Sequence, residues 1–196
     1  RITSNLPEAL SVSELVMIAV GTPDSEQGID LNQVKLAAEE IGEFLKINDK
    51  ELAIVVKSTV IPGTSQDLVK KIIEDRSGKK HPEFGIGMNP EFLREGSAVK
   101  DFMHPDRIVL GFEDTLTKKK LESLYAPWEC EKLFVTTKEA EFTKYAHNII
   151  LAAQISLANE LANIADEIGG IDFNKVLEGV RLDRRWSPIL ESGQIF

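Results

Sequence analysis

The chain holds one cysteine, Cys130, so no disulfide can form within its 196 residues. A reducing compartment, hence the cytoplasm, is the simplest reading. No apolar run approaches the roughly 18 residues of a membrane span. Positive charge is not in excess: the formal net charge is −9, which excludes the basic footprint of a general nucleic-acid binder and leaves room for a local cationic pocket. Internal repeats and low-complexity tracts are absent. No Gly-x-Gly-x-x-Gly phosphate loop is present, since Gly85-Ile-Gly87 and Gly111-Phe-Glu do not match it; alone, that counts against a dinucleotide site. His81, His104 and His147 share no metal-ligand spacing, so no metal is assigned. Cys130 lies between glutamates at the start of an apolar run, a poor setting for a thiolate nucleophile. The chain opens on Arg1, so the expectation is a fragment of something longer.

What is present is ordinary globular material, 42% hydrophobic and 28% charged, enough for one large or two smaller domains. Short apolar runs at Glu14–Val20, Leu52–Val56, Phe84–Met88, Arg107–Gly111 and Lys132–Val135 read as strands. Helical patterns follow Asp30, Thr64 (a candidate N-cap) and about Thr115. Strands alternating with helices read as βαβ units around a mostly parallel sheet. Right-handed crossovers then bring the strand ends to one edge. Three of those ends carry Gly21-Thr22-Pro23, Lys57-Ser58-Thr59 and Asn89-Pro90-Glu91, at the place where open α/β sheets bind ligands.

The stretch GMNPEFLREG, residues 87–96, carries two carboxylates four apart, Glu91 and Glu95. With Asn89 as N-cap, Pro90 at the first helical position and Gly96 as the stop, a helical turn would set both on one side. The same spacing suits a solvated surface turn. No proline or glycine occurs from 138 to 168, which predicts one helix close to 50 Å long. Its apolar residues are broadly spread, so burial against several partners is expected. Lys144 and Asn148 share a face near its start. There a lysine and an amide can stabilise a developing oxyanion, or simply snorkel and face water. Ser58 and Thr59 can position a water, or only turn the chain. Arg181, Arg184 and Arg185 form a cationic cluster suited to phosphate or to pairing with Asp183. A division near 135–138, giving domains 1–136 and 137–196, fits the change in character.

Taken together, VGTP at 20–23, KSTVIPGT at 57–64, GMNPEFLREGSAVKDFMHPDRIVLG at 87–111 and EAEFTKYAHNIILAAQISLANELANIADEIG at 139–169 closely resemble the UDP-glucose/GDP-mannose dehydrogenase family. The likeness runs in order over nearly the whole chain. It implies the later half of a Rossmann-like NAD-binding domain followed by an all-α central domain, with the GxGxxG half before it and a Gly-Gly-x-Cys motif after it. The implied reaction is a two-step oxidation of a sugar-nucleotide primary alcohol to a carboxylate, using two NAD⁺ and a cysteine thioester from outside this chain. By position, the catalytic residues would be Lys144 and Asn148 at the oxyanions, Glu91 as general acid/base and Thr59 at the water. Val20, Gly21, Thr22, Pro23, Ser58, Thr59 and Val60 would contact NAD, with Glu95 near the nicotinamide. Phe92, Leu93 and Arg94 would line the cleft of a UDP-sugar together with Glu91, Glu95, Lys144 and Asn148; Arg185 would also reach substrate, and 192–196 would begin the substrate loop. The helix 138–169 would form a homodimer core, and HPDRIVLG leans toward UDP-glucose. The fragment alone is expected to be inactive. Two alternatives stay open: a β-hydroxyacid dehydrogenase type, with Lys-x-x-x-Asn and a single oxidation, and a non-catalytic dimerisation module.

Overall fold

A computed structural model describes residues 2–26 and 28–183. The chain divides into two compact units, 1–146 and 147–196. The first begins with helix α1 (Leu6–Val12), capped by the Asn5 carboxamide, and strand β1 (Leu15–Ile18). A small hairpin, β2 (Asp24–Ser25) and β3 (Gly28–Ile29), leads into α2 (Asn32–Lys46). Strand β4 (Ala53–Val56) follows, then a π-helical turn (Thr64–Val69) that runs into α3 (Lys70–Ser77). Next come β5 (Gly85–Met88), a short helix α4 (Ala98–Met103), β6 (Arg107–Phe112), α5 (Thr115–Tyr125) and β7 (Glu131–Val135). All five main strands fall on the apolar runs read from the sequence.

The sheet order is β1-β4-β5-β6-β7. β1, β4 and β5 pair in parallel, and so do β6 and β7, but β6 runs antiparallel to β5, with Gly87 opposite Phe112. The expectation that every strand ends at one edge is therefore corrected. The segment from Asn89 to Asp106 returns to the sheet at the edge it left, so β6 runs back along β5. Three strand ends do converge there, those of β1, β4 and β5, and β6 starts at the same edge.

Strand β4 is buried throughout, as an interior strand covered on both faces must be. Its alternating side chains feed two clusters. Ile54 and Val56 join Val34, Ala38, Ile41 and Leu45 of α2 and Ile73 of α3, while Val55 joins Leu110, Leu121 and Tyr125 beneath α5. Burying each such aliphatic side chain is worth about 1.5–3 kcal/mol. β5 lies close under α5. A Cβ at Gly87 would stand 2.7 Å from Thr117 Cγ2 and 3.0 Å from Gly111 O. Gly87→Ala is therefore expected to cost about 1–3 kcal/mol through overpacking, read as a lower urea midpoint with an unchanged slope.

The helix α6 (Thr137–Ile168) crosses from the first unit into the second, which also holds α7 (Phe173–Arg181), capped by Asp172. The first unit includes the opening turns of α6 because Ala140, Glu141 and Lys144 are buried there. Beyond them α6 runs on as the one long helix the sequence predicts, with apolar residues uncovered among the described residues. Ile149, Leu151, Ile155, Leu157 and Ile164 are exposed, because the described part of the second unit offers only the nine-residue α7 to cover them.

Candidate functional site

The edge where β1, β4 and β5 end is held by hydrogen bonds between the loops themselves. Ser58 Oγ donates to Val20 O at 2.6 Å, and Thr22 Oγ1 donates to Thr59 O at 2.8 Å. Val20–Pro23 and Ser58–Val60 thus form one layer. Val60 is buried, Val20, Thr22 and Thr59 are half-buried, and Gly21 and Pro23 are exposed. A Cβ at Gly21 would meet nothing within 4 Å, so open space stands above that backbone. An accessible backbone beside half-buried threonines suits a dinucleotide laid across the strand ends. Residues 20–23 and 58–60 would hold it.

The GMNPEFLREG segment differs from the reading of it. Residues 91–94 form no helical turn, and α4 begins only at Ala98. The i,i+4 argument for Glu91 and Glu95 lapses with the helix. Asn89 is no N-cap either. It is 2% exposed, its Nδ2 donates to Val109 O at 2.9 Å, and its Oδ1 accepts from Lys57 Nζ at 3.0 Å and from the Tyr125 hydroxyl. Tertiary partners outcompete the local cap that Asn-Pro favours. Gly96 does take a positive φ of 83°, the one part of the predicted turn that the backbone keeps.

Glu91 meets Lys144. Lys144 Nζ donates to Glu91 Oε1 at 2.9 Å, with the lysine side chain 8% exposed and the glutamate 31%. Glu91 Oε2 accepts from Leu93 N at 2.6 Å. Burial pulls the Glu91 carboxyl up, but the Lys144 hydrogen bond, the Leu93 N–H and the charges of Lys144 and Lys57 outweigh it, so the group lies below the ordinary carboxylate value. Phe92 is half-buried, with the Arg107 guanidinium 4.1 Å and the Lys144 ammonium 5.4 Å from its ring centroid, favourable cation–π geometry. Leu93, Arg94 and Glu95 are exposed. Arg94 is engaged by Asp101 at 2.7 Å, and that pairing drives the Asp101 carboxyl well below its usual range. Asn148 is exposed and belongs to the second unit. Arg184, Arg185 and the tail 192–196 lie outside the described residues.

Two features went unread in the sequence. Lys57, at the end of β4, has its ammonium pushed down to about 8, by burial first; the Glu91 charge opposes this and the Lys144 charge adds to it. Glu141 is fully buried on α6. Its Oε2 accepts from Gly63 N at 2.5 Å and its Oε1 from Ser65 N at 2.7 Å. It therefore caps the π-helical turn, the role the sequence suggested for Thr64. The N-cap residue is Gly63, at φ 100°, and Thr64 Oγ1 donates instead to Ile61 O. A charged residue at i−3 from Lys144 on a helix face that also holds Ala140 was the available signal. Among the described residues no His, Cys, Asp or Glu cluster could hold a metal ion, and no helix is long and apolar enough to cross a membrane.

Comparison with known proteins converges on one group. Residues 1–129 match the NAD binding domain of the UDP-glucose/GDP-mannose dehydrogenase family, and residues 138–195 match its central domain. A UDP-glucose 6-dehydrogenase of Haloferax volcanii is 42% identical over 192 residues, covering 94% of this chain and 44% of that protein. A GDP-mannose 6-dehydrogenase of Azotobacter vinelandii is 37% identical, covering 94% and 43%. The crystal structure of a ternary complex of GDP-mannose dehydrogenase from Pseudomonas aeruginosa superposes with a TM-score of 0.87 at 38% identity, over 92% of this chain and 42% of that one. A UDP-glucose dehydrogenase from Pyrobaculum islandicum gives 0.86 at 40%, over 93% and 42%. The chain spans less than half the length of these relatives.

Proposed function

Because the chain belongs to the UDP-glucose/GDP-mannose dehydrogenase family, we propose that it forms the catalytic edge of an enzyme that oxidises the C6 primary alcohol of UDP-glucose to the carboxylate of UDP-glucuronate in two steps. The observation that carries this reading is the Lys144–Glu91 pair at 2.9 Å, set beside the converged ends of β1, β4 and β5. A buried ammonium offers positive charge to an oxygen that becomes negative during oxidation. The partnered carboxylate can take the proton of the hydroxyl while the hydride leaves its carbon for NAD⁺. Asn148 is proposed to donate to the same oxygen, and Thr59 to hold the water that hydrolyses the acyl stage. The thioester cysteine is proposed to lie outside these residues. Bound NAD supplies the electron acceptor; Val20–Pro23 and Ser58–Val60 are placed against it, with Glu95 toward its reactive ring. Phe92, Leu93 and Arg94 are assigned to the sugar-nucleotide cleft, and Arg185 to substrate. A cytoplasmic location, as the single cysteine suggests, completes the reading.

The test is stoichiometry. The encoded protein is expected to release two NADH per UDP-glucuronate formed, and residues 1–196 alone are expected to give no steady NADH. One NADH per product would point to a single oxidation of the β-hydroxyacid type. Faster turnover of GDP-mannose than of UDP-glucose would overturn the choice of nucleotide.

The second unit is proposed to pair with a copy of itself. Ile150, Leu157, Leu161, Ile164 and Ile168 of α6 are exposed and share one face at helical spacing, and an apolar stripe of this kind gains free energy from a matching surface. Leu157→Glu combined with Leu161→Glu is expected to weaken the dimer by about 100-fold or more. Light scattering coupled to size exclusion reads it, and an unchanged mass at micromolar concentration would remove α6 from the interface.

A further inference from the structure

Lys57 stands beside the Glu91–Lys144 pair without a part in the oxidation proposed for it. Lys57 Nζ donates to Asn89 O at 3.3 Å and to Asn89 Oδ1 at 3.0 Å. The same carboxamide oxygen accepts from the Tyr125 hydroxyl, and Nδ2 donates to Val109 O. One buried amide thus ties the end of β4 to β5, β6 and α5. An ammonium has three donors and no acceptor, and two of those of Lys57 are given to Asn89. With both ends of its carboxamide engaged, Asn89 has a single orientation, and Pro90 fixes the next φ. The following residue is Glu91.

Lys144 is already committed to Glu91 at 2.9 Å. Lys57 feels both groups, Glu91 from the exit of β5 and Lys144 from α6, and meets Tyr125 of α5 through Asn89. With both lysines charged and Glu91 ionised the cluster carries one net positive charge; when Lys57 loses its proton the cluster is neutral.

We propose that Lys57 is a positioning residue for Glu91, holding the Asn89-Pro90-Glu91 exit in place and supplying the second positive charge beside the Glu91–Lys144 pair. Its importance for turnover rests on the acid/base reading of Glu91, but its test does not.

The test is carbon-13 NMR of the chain labelled at glutamate Cδ. The Glu91 resonance is assigned through Glu91→Gln and followed against pH in wild type, Lys57→Met and Lys57→Arg. In wild type, Glu91 is expected to titrate at acid pH and to show a second inflection near 8, where Lys57 releases its proton; Tyr125, pushed up to about 12 by burial, is silent there. In Lys57→Met the acid titration moves to higher pH and the inflection is lost. In Lys57→Arg the acid titration returns toward wild type without an inflection, because a guanidinium keeps its proton. If Lys57→Met does not fold, the wild-type inflection and its loss in Lys57→Arg decide. A wild-type curve without the inflection, or a Lys57→Met curve that matches wild type at acid pH, overturns the proposal. If the encoded protein fails to oxidise sugar nucleotides, the acid/base reading of Glu91 falls and the NMR result stands.

Discussion

Replacing Lys144 with alanine is expected to lower kcat for the proposed sugar-nucleotide oxidation about 10²–10³-fold, the usual cost of one lost oxyanion-stabilising group. KM is expected to change much less, since the charge is needed most when the oxygen becomes negative. The geometry makes the loss double. The Lys144 side chain is 8% exposed and its ammonium stands 2.9 Å from Glu91 Oε1, so the variant removes the cation and leaves a half-buried carboxylate without its ion-pair partner.

The pH profile should show this second effect. Burial alone would raise the Glu91 carboxyl, and the Lys144 hydrogen bond is the first of the interactions that bring it below the ordinary value. Without Lys144, Glu91 is expected to protonate at higher pH, so the acid limb of kcat/KM moves upward. Lys144→Arg separates the two contributions. It keeps a charge beside Glu91 but puts a planar fork where a compact ammonium stood, so the acid limb returns toward wild type while kcat stays low. An acid limb that does not move in Lys144→Ala would show that Glu91 is not the group whose ionisation the rate follows.

The features legible in the sequence were those with local causes. β4 and β5 are short apolar runs ending at polar or turn-forming residues, and their extents were read to within a residue or two. Lys144 was read with Asn148 and Glu91 with Glu95, and only the sheet edge and the family likeness brought Lys144 and Glu91 to one place. Nonlocal competition hid the rest. Asn89-Pro90 carries a helix-start signal that Lys57, Tyr125 and Val109 override. The reversal of β6 depends on how the segment after β5 returns to the sheet, which no periodicity records. Glu141 next to Phe142 reads as an ordinary helix-surface glutamate, because its two partners, Gly63 and Ser65, lie more than seventy residues back.

The largest stability effect is expected at Glu141. Glu141→Ala should destabilise the first unit by about 3–5 kcal/mol, because it strips the acceptor from two buried backbone N–H groups, each costing about 1–3 kcal/mol when left unpaired, and opens a small cavity as well. The change would act on the π-helical turn that begins at Thr64, so hydrogen exchange at residues 63–69 should rise before global unfolding does. Glu141→Gln is the informative control, since it keeps the size and one acceptor but does not titrate. The wild-type carboxyl is raised: burial is the largest cause and the nearby Asp67 charge adds to it, while the Ser65 and Gly63 hydrogen bonds pull the other way. A folded value above the unfolded one means that titration of Glu141 favours the fold fully below the ordinary carboxylate range, and that this advantage is lost as pH rises through the raised value. The stability of wild type relative to Glu141→Gln should therefore be greatest in acid and fall as pH climbs through that window. Urea unfolding at a series of pH values reads the difference, and a gap that widens with pH would mean that Glu141 is held by its charge more strongly than burial opposes it.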